Sequence, residues 1–276
     1  MIDGNTTLIA HIGYPTYGFK APLIYNPYFE HAGINAVVVP MGSKSADYPA
    51  LLRAVFCLTN IGGALITMPH KVSTVALLDE ASVAVRIAGA CNAVKRSADG
   101  RLVGDLFDGE GFVRALRTRE FDLAHATCLV VGSGGVGSAI AAALAAAGVK
   151  RLVLTDTRRE ATEALAGRIR QYYPALDVAV GNNDPAGFDL VVNATPLGMQ
   201  EGDPLPVDTS CMSPHALAGE VVMSTEITPF LAAARERGCA IQVGTDMLFE
   251  QIPAYLEFFG FPTTSARHLR ELATLP

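Results

Sequence analysis

Three groups of residues in this chain combine side-chain types and spacings suited to chemistry. The first is Val130-Val-Gly-Ser-Gly-Gly-Val-Gly137, where an apolar run enters a glycine-rich turn and continues into the small-residue stretch 138–148. Strand, glycine turn and helix in that order form a dinucleotide-binding signature. Gly132 permits the tight turn, Gly134 lets the backbone approach a pyrophosphate, and Gly137 lets the helix lie against the strand. Gly135 and Val136 complete the loop, and the helix N-terminus offers N–H groups and a positive dipole end to phosphates. Asp156 closes the next apolar run nineteen positions after Gly137, near the ~20 at which a carboxylate grips the ribose hydroxyls. The alternative is a glycine turn in an ordinary α/β domain that binds nothing.

The second group is Thr67-Met-Pro-His-Lys71, at the end of an apolar run. A nicotinamide-linked oxidoreductase needs a base to take the proton as hydride leaves a hydroxyl. Lys71 can be that base once burial lowers its pKa towards working pH; His70 is a rival. The third group is Asn92 and Asp108, at the open end of a hairpin whose two-residue turn is expected at Asp99-Gly100. If residues 98 and 101 pair, 92 lies opposite 107, and an amide and a carboxylate end side by side. Asp108 could then hold the lysine and share its proton. From the pattern alone, Lys71 is equally readable as a solvated residue in a first helical turn, and Asp108 as a turn or cap.

The elements that must position these groups follow from periodicity. Apolar runs at 8–12, 35–40 and 63–67 read as strands, with helices expected over 22–32, 47–58 and from Pro69 to Leu78. Crossover helices between strands predict parallel pairing. A helix starting near Gly109 leaves this first domain. Strands at 127–131, 151–155, 176–180, 189–193, 220–223 and 239–243 then alternate with helices at 135–147, 159–172 and 228–237, the pattern of a doubly wound parallel sheet. The loop from Asn193 to Met199, carrying Thr195, follows a strand end and is expected to line the nucleotide crevice. The fold class is therefore α/β, with an N-terminal α/β substrate domain (1–115), a Rossmann-type domain (116–243) and C-terminal helices (244–276) returning to the first domain.

Bulk properties exclude several classes of function. Half of the 276 residues are hydrophobic, 17% are charged and the net charge is −6. No Lys/Arg run exists, which argues against nucleic-acid or anionic-membrane partners. The five cysteines lack CxxC spacing and the histidines lack ligand spacing, so reduced core thiols and no metal are expected. Met1-Ile-Asp-Gly-Asn-Thr-Thr has no basic n-region or apolar h-region, and no apolar span approaches membrane length. A cytoplasmic monomer or homodimer acting on a small molecule is expected.

Over nearly its whole length the chain resembles the shikimate/quinate dehydrogenase family. The likeness is carried by Gly13-x-Pro15 with Lys20-Ala-Pro22, Thr67-Met-Pro-His-Lys71, Gly89-Ala-Cys-Asn92, Asp108-Gly-Glu-Gly-Phe112, Asn193-Ala-Thr-Pro-Leu-Gly-Met199 and Gly244-Thr-Asp-Met-Leu-Phe-Glu-Gln251. It implies that Lys71 and Asp108 are the catalytic pair and that Thr67, Asn92 and Gln251 contact ring hydroxyls. Asn193, Thr195 and Gly244 join the glycine loop at the cofactor. The reaction implied is reversible oxidation of a ring alcohol, in a cleft where domain closure excludes water.

Five positions depart from the family pattern. Phe19 and Ala21 stand where its substrate loop carries two serines that hold a carboxylate. Leu106-Phe107 replaces an Asn-Thr before the aspartate, and Met223 replaces a tyrosine. Sites that hydrogen-bond a group discriminate strongly for it, and loss of the donors forfeits that. The expected substrate is a related cyclic polyol with a different or missing carboxylate, with Lys20, Tyr14 or Tyr17 as replacement contacts. Asp156 favours NAD by repelling a 2′-phosphate, while Arg158 and Arg159 keep NADP as the alternative. The competing functions are an NADP-dependent shikimate dehydrogenase of aromatic amino-acid biosynthesis and a non-catalytic dinucleotide or metabolite sensor on the same fold.

Overall fold

A computed structural model describes residues 2–275. The chain divides into two compact units, one gathering the residues up to Phe107 and from Ile252 onward, the other spanning Asp108–Gln251.

In the first unit, β1 (Thr7–Gly13), α1 (Pro22–His31), β2 (Ala36–Gly42), α2 (Tyr48–Val55) and β3 (Ile61–Ile66) build a parallel core with β1 at its centre. The parallel pairing expected from the crossover helices is present. α3 (Lys71–Thr74), β4 (Glu80–Ala81) and α4 (Val83–Ala88) follow, and β5 (Ala93–Arg96) and β6 (Leu102–Asp105) add an antiparallel hairpin. The sheet order is β2-β1-β3-β5-β6-β4. β4 and α4 were not expected from periodicity, being short. Their ends are set by local chemistry: Ser82 Oγ accepts the Val85 N–H as an N-cap, and Gly89 takes φ +69° just past the helix.

The hairpin corrects the expected turn. Residues 98–100 form a three-residue loop, with Ser97 N donating to Arg101 O at 2.9 Å and Gly100 at φ +88°. Asp99 accepts bonds from Ser97 Oγ and Arg101 Nε, which favours the longer loop. The pairing is then Ala93 with Asp105, one step from the register that placed 92 opposite 107.

The second unit opens with α5 (Asp108–Thr118). It then alternates through β7 (Thr127–Val131), α6 (Gly135–Ala146), β8 (Arg151–Thr155), α7 (Arg159–Tyr172), β9 (Asp177–Val180), β10 (Leu190–Asn193), β11 (Leu217–Glu220), α8 (Pro229–Glu236) and β12 (Ala240–Gln242). Its six strands are parallel in the order β12-β11-β10-β7-β8-β9, the doubly wound order of dinucleotide-binding domains, whose chain reverses direction across the sheet between β7 and β10. The strand expected at 220–223 is instead Leu217–Glu220. It stops because the buried Glu220 carboxyl turns back to accept the N–H groups of Val221 and Val222. The alanine-rich α6 can approach its neighbours closely: a side chain at Gly109 of α5 would collide with the Ala139 carbonyl.

α9 (Gly244–Phe259) and α10 (Ala266–Leu272) end the chain. The residues from Ile252 belong to the first unit. Phe259 lies against Gly63 of β3, the Phe261 ring is 5.1 Å from Phe29, and Tyr28 donates to Pro262 O at 2.7 Å. Lys95 Nζ donates to Phe258 O at 2.8 Å, near the end of α9. Among the described residues no helix is long and apolar enough to cross a membrane.

Candidate active site

The lysine motif sits where β3 ends. Thr67 N donates to Ile12 O, tying the motif to β1, and His70 N closes a turn onto Thr67 O. Lys71 then opens α3, half-buried. Its carbonyl accepts the Cys91 N–H at 2.9 Å, so the lysine backbone is fastened beside the strand that carries Asn92. His70, the rival base, is fully buried. Its Nε2 meets Ser43 O at 2.9 Å and its ring stacks on Tyr48 at 3.9 Å. It supports the turn from below, which leaves Lys71 as the accessible candidate base of the pair.

Asn92 is held from three sides. Its N–H donates to Asp105 O, its carbonyl accepts the Ile66 N–H, and its Oδ1 accepts the Phe107 N–H at 2.9 Å. Its Nδ2 is buried with no hydrogen-bond partner. Buried donors are almost always paired, so this fixed N–H pair is a group awaiting an acceptor. The hairpin thus positions Asn92 by clamping it, not by setting it opposite residue 107. Phe107 is buried and packs edge-on against Tyr255 and Phe258, at 4.8 and 5.5 Å.

Phe19 is half-buried and stacks on His11 of β1 at 4.1 Å. Ala21 is the N-cap of α1 and makes no side-chain cap bond. Lys20, Tyr14 and Tyr17 are exposed, and the two tyrosines line a cleft of about 590 Å³ with Ser43, Lys44 and Asp47. Burial, reinforced by the charge of Lys71, pushes the His11 imidazole down to about 4. Sequence reasoning missed His11. The signal was a polar residue inside an apolar, largely buried strand.

In the second unit, Asp108 is the buried first residue of α5 and Gln251 is buried at the unit's other end. Gln251 packs against Gly111, where a Cβ would meet its Cβ at 2.7 Å, and its Oε1 has no hydrogen-bond partner.

The glycine loop follows β7. Gly132 has φ +104°, and a side chain there would press on Ala194 O at 2.6 Å; one at Gly137 would strike the Gly132 carbonyl. Side chains at Gly134 and Gly135 would meet nothing within 4 Å. The loop is therefore closed on its protein side and open above α6, whose N-cap Gly134 makes no side-chain cap bond. That is the shape and polarity a pyrophosphate requires, and the residues fit a dinucleotide. Val136 is half-buried in the first turn of α6.

Asp156, just past β8, accepts the Ser133 N–H at 2.7 Å and the Arg158 N–H at 2.8 Å, with Arg158 Nε at 3.4 Å. Burial raises its pKa, but these donors and the Arg158 charge outweigh it and hold the carboxyl below its ordinary value. It is ionised at neutral pH and braces the glycine loop.

Asn193 is fully buried at the end of β10. Its Nδ2 reaches Leu197 O and both Glu220 oxygens, while its Oδ1 accepts from Thr195 N and Thr195 Oγ1. The side chain therefore shapes the loop 194–199. Glu220, which the sequence did not single out, also accepts from Thr228 Oγ1 at 2.8 Å. Burial raises its pKa against the pull of these donors. Gly244 begins α9, where a side chain would strike the Val222 carbonyl, and Met223 is half-buried beside it in sequence.

Comparison with known proteins bears on these arrangements. Residues 12–94 match the family described as shikimate dehydrogenase substrate binding domain, and residues 115–159 match the ThiF family. A curated shikimate dehydrogenase (NADP(+)) of Rubrobacter xylanophilus is 36% identical over 91% of this chain and 89% of its own. The structure of a quinate dehydrogenase from Corynebacterium glutamicum in complex with NAD is 30% identical, with TM-score 0.86 over 97% of this chain and 98% of its own. A shikimate 5-dehydrogenase from Listeria monocytogenes in complex with shikimate and NAD shares the fold at 24% identity, with TM-score 0.91 over 98% and 97%.

Proposed function

The chain belongs to the shikimate/quinate dehydrogenase family, and from that premise we propose that it oxidises a ring hydroxyl of a cyclic polyol, with Lys71 and Asp108 handling the proton. It is an NAD(P)-dependent oxidoreductase acting on CH–OH groups. The finer reading is that NAD is preferred and that the substrate's carboxylate is absent or differently held.

The observation that carries the reading is Asn92. Its amide is clamped by the backbone of three strands and loops, and its N–H pair is left unpaired in a buried position. A group held so rigidly costs no reorganisation when a ligand hydroxyl accepts from it. Thr67 and Lys71 are fastened around the same strand ends. In this reading Thr67, Asn92 and Gln251 orient the ring, and Lys71 Nζ takes the hydroxyl proton as hydride departs. Asp108 holds the lysine and shares the charge. When bound, the nicotinamide supplies the hydride acceptor. Gly132, Gly134, Gly135, Val136 and Gly137 hold the pyrophosphate, with Asn193, Thr195 and Gly244 shaping the rest of the cofactor site.

Phe19 and Ala21 support the altered substrate. An aromatic ring stacked on His11 and a methyl group stand where hydroxyls would hold a carboxylate. Asp156 supports NAD, because an ionised carboxylate at the end of β8 accepts from ribose hydroxyls and repels a 2′-phosphate. Free thiols at all five cysteines agree with a reducing cytoplasm. The test is steady-state kinetics with shikimate, quinate and neutral cyclic polyols, each with NAD and NADP. We expect the highest kcat/KM for a non-shikimate polyol with NAD. High kcat/KM for shikimate with NADP would overturn both finer points.

A further inference from the structure

We propose that His11 is a substrate-recognition residue whose Nδ1 hydrogen-bonds a hydroxyl of the bound polyol, with the ring of Phe19 as its movable cover. The inference rests on the polyol dehydrogenase reading given above.

His11 pairs with Leu65 across β1 and β3. Side chains alternate along strands, so His11 and Gly13 share the face that carries Leu65 and, one step on, Thr67. The space over Gly13 is filled from the same side: a Cβ there would press on the Thr67 methyl and come within 2.9 Å of Phe19 Cζ. Thr67, Phe19 and His11 therefore converge at the strand ends beside Lys71.

His11 is more than nine-tenths buried, and its Nδ1 has no hydrogen-bond partner. It shares this property with Asn92 Nδ2, the donor already read as substrate-facing. His70 Nδ1 and the Tyr25 hydroxyl are also unpaired, but His70 is sealed beneath Tyr48 and Tyr25 lies in α1. His11 is closed instead by Phe19, which belongs to the mostly exposed loop 14–20. A buried polar atom left unpaired persists where something else compensates it. The ring stacked on it belongs to a loop.

The ligand chemistry follows from the charge state. Burial above all holds the imidazole well below its ordinary value, so it is neutral at working pH. A neutral imidazole exchanges one hydrogen bond with a hydroxyl and brings no positive charge to hold a carboxylate. With Phe19 and Ala21 in place of hydroxyl-bearing residues, this wall recognises an uncharged, hydroxylated edge of the ring.

The test uses the full-length protein with His11→Leu, which keeps the bulk and removes the polar atoms, and His11→Asn, which returns a polar group near Nδ1. Both are assayed with shikimate, quinate and myo-inositol and with NAD. For each polyol that the wild type oxidises, His11→Leu should lower kcat/KM about 10- to 100-fold, through KM. The Kd for NAD should stay within about twofold, and the thermal midpoint should be equal or higher, since a buried unpaired atom has gone. His11→Asn should recover much of the loss. Wild-type kcat/KM retained within about threefold by His11→Leu overturns the inference and leaves the reaction standing. A loss that follows a lowered thermal midpoint, without rescue by Asn, assigns His11 a structural role and also overturns it. No turnover by the wild type on any polyol overturns the reading of the reaction, and the inference with it.

Discussion

Acid should unfold this protein partly through one histidine. The His11 imidazole is held near 4 in the folded chain, against an ordinary value of 6.5, chiefly by burial and secondly by Lys71. The folded-state value is depressed, so below pH 6.5 the unfolded chain binds the proton more readily than the folded one. The stability tied to neutral His11 is present above 6.5 and is lost as pH falls towards 4. At 1.36 kcal/mol per unit, the 2.5-unit difference amounts to about 3.4 kcal/mol at full protonation, and the part lost at pH 5 is about 2 kcal/mol. His11→Leu removes the titration. The chain has no tryptophan, so urea unfolding is best followed by far-UV circular dichroism, at pH 7.5 and pH 5.0, for both proteins. The wild type should lose about 2 kcal/mol more than the variant between the two pH values. Equal losses would show that His11 is not buried neutral beside Lys71, and would refute the electrostatic picture of this wall.

Three further outcomes follow from particular contacts. Asp156→Ala should shift the NADP-to-NAD ratio of kcat/KM at least about 10-fold towards NADP, because it removes the carboxylate that repels a 2′-phosphate; an unchanged ratio would show that Asp156 only braces the glycine loop. Asn193→Ala should cost about 1–3 kcal/mol in urea unfolding, since it strips donors from the buried Glu220 carboxyl, and should weaken dinucleotide binding as the loop 194–199 loosens; unchanged affinity would separate that loop from the cofactor. Gly63→Ala should cost about 1–3 kcal/mol by forcing the Phe259 ring off the first unit's sheet; a neutral result would mean that the C-terminal residues pack there loosely.

What the sequence made legible was local. Glycine spacing, the acid after β8 and the alternation of apolar runs made the second unit readable as a doubly wound parallel sheet, because each depends on neighbours within a few tens of residues. The lysine motif and Asn92 were recognisable as residues but not as a geometry. Asn92 is fixed by bonds to Ile66, Asp105 and Phe107, and that clamp depends on a hairpin register which a choice between two turn lengths decides. Gly100 and the Asp99 side chain settle the choice in favour of three residues, and the register moves by one. Glu220 was hidden because an apolar run, Val221-Val-Met, extends past it and draws the expected strand too far. His11 was hidden for the opposite reason. Its strand was recognised, but its burial, its stacking on Phe19 and its nearness to Lys71 arise from pairing across the sheet and a loop returning over it.

The most direct test of the central claim is the pre-steady-state and steady-state rate of nicotinamide reduction by the wild type and by Lys71→Met, with saturating NAD and the best polyol. Lys71 as the group that takes the hydroxyl proton predicts a fall in kcat of about 10²- to 10⁴-fold, with the Kd for NAD unchanged. A Lys71→Met enzyme that keeps kcat within about threefold of the wild type would contradict it.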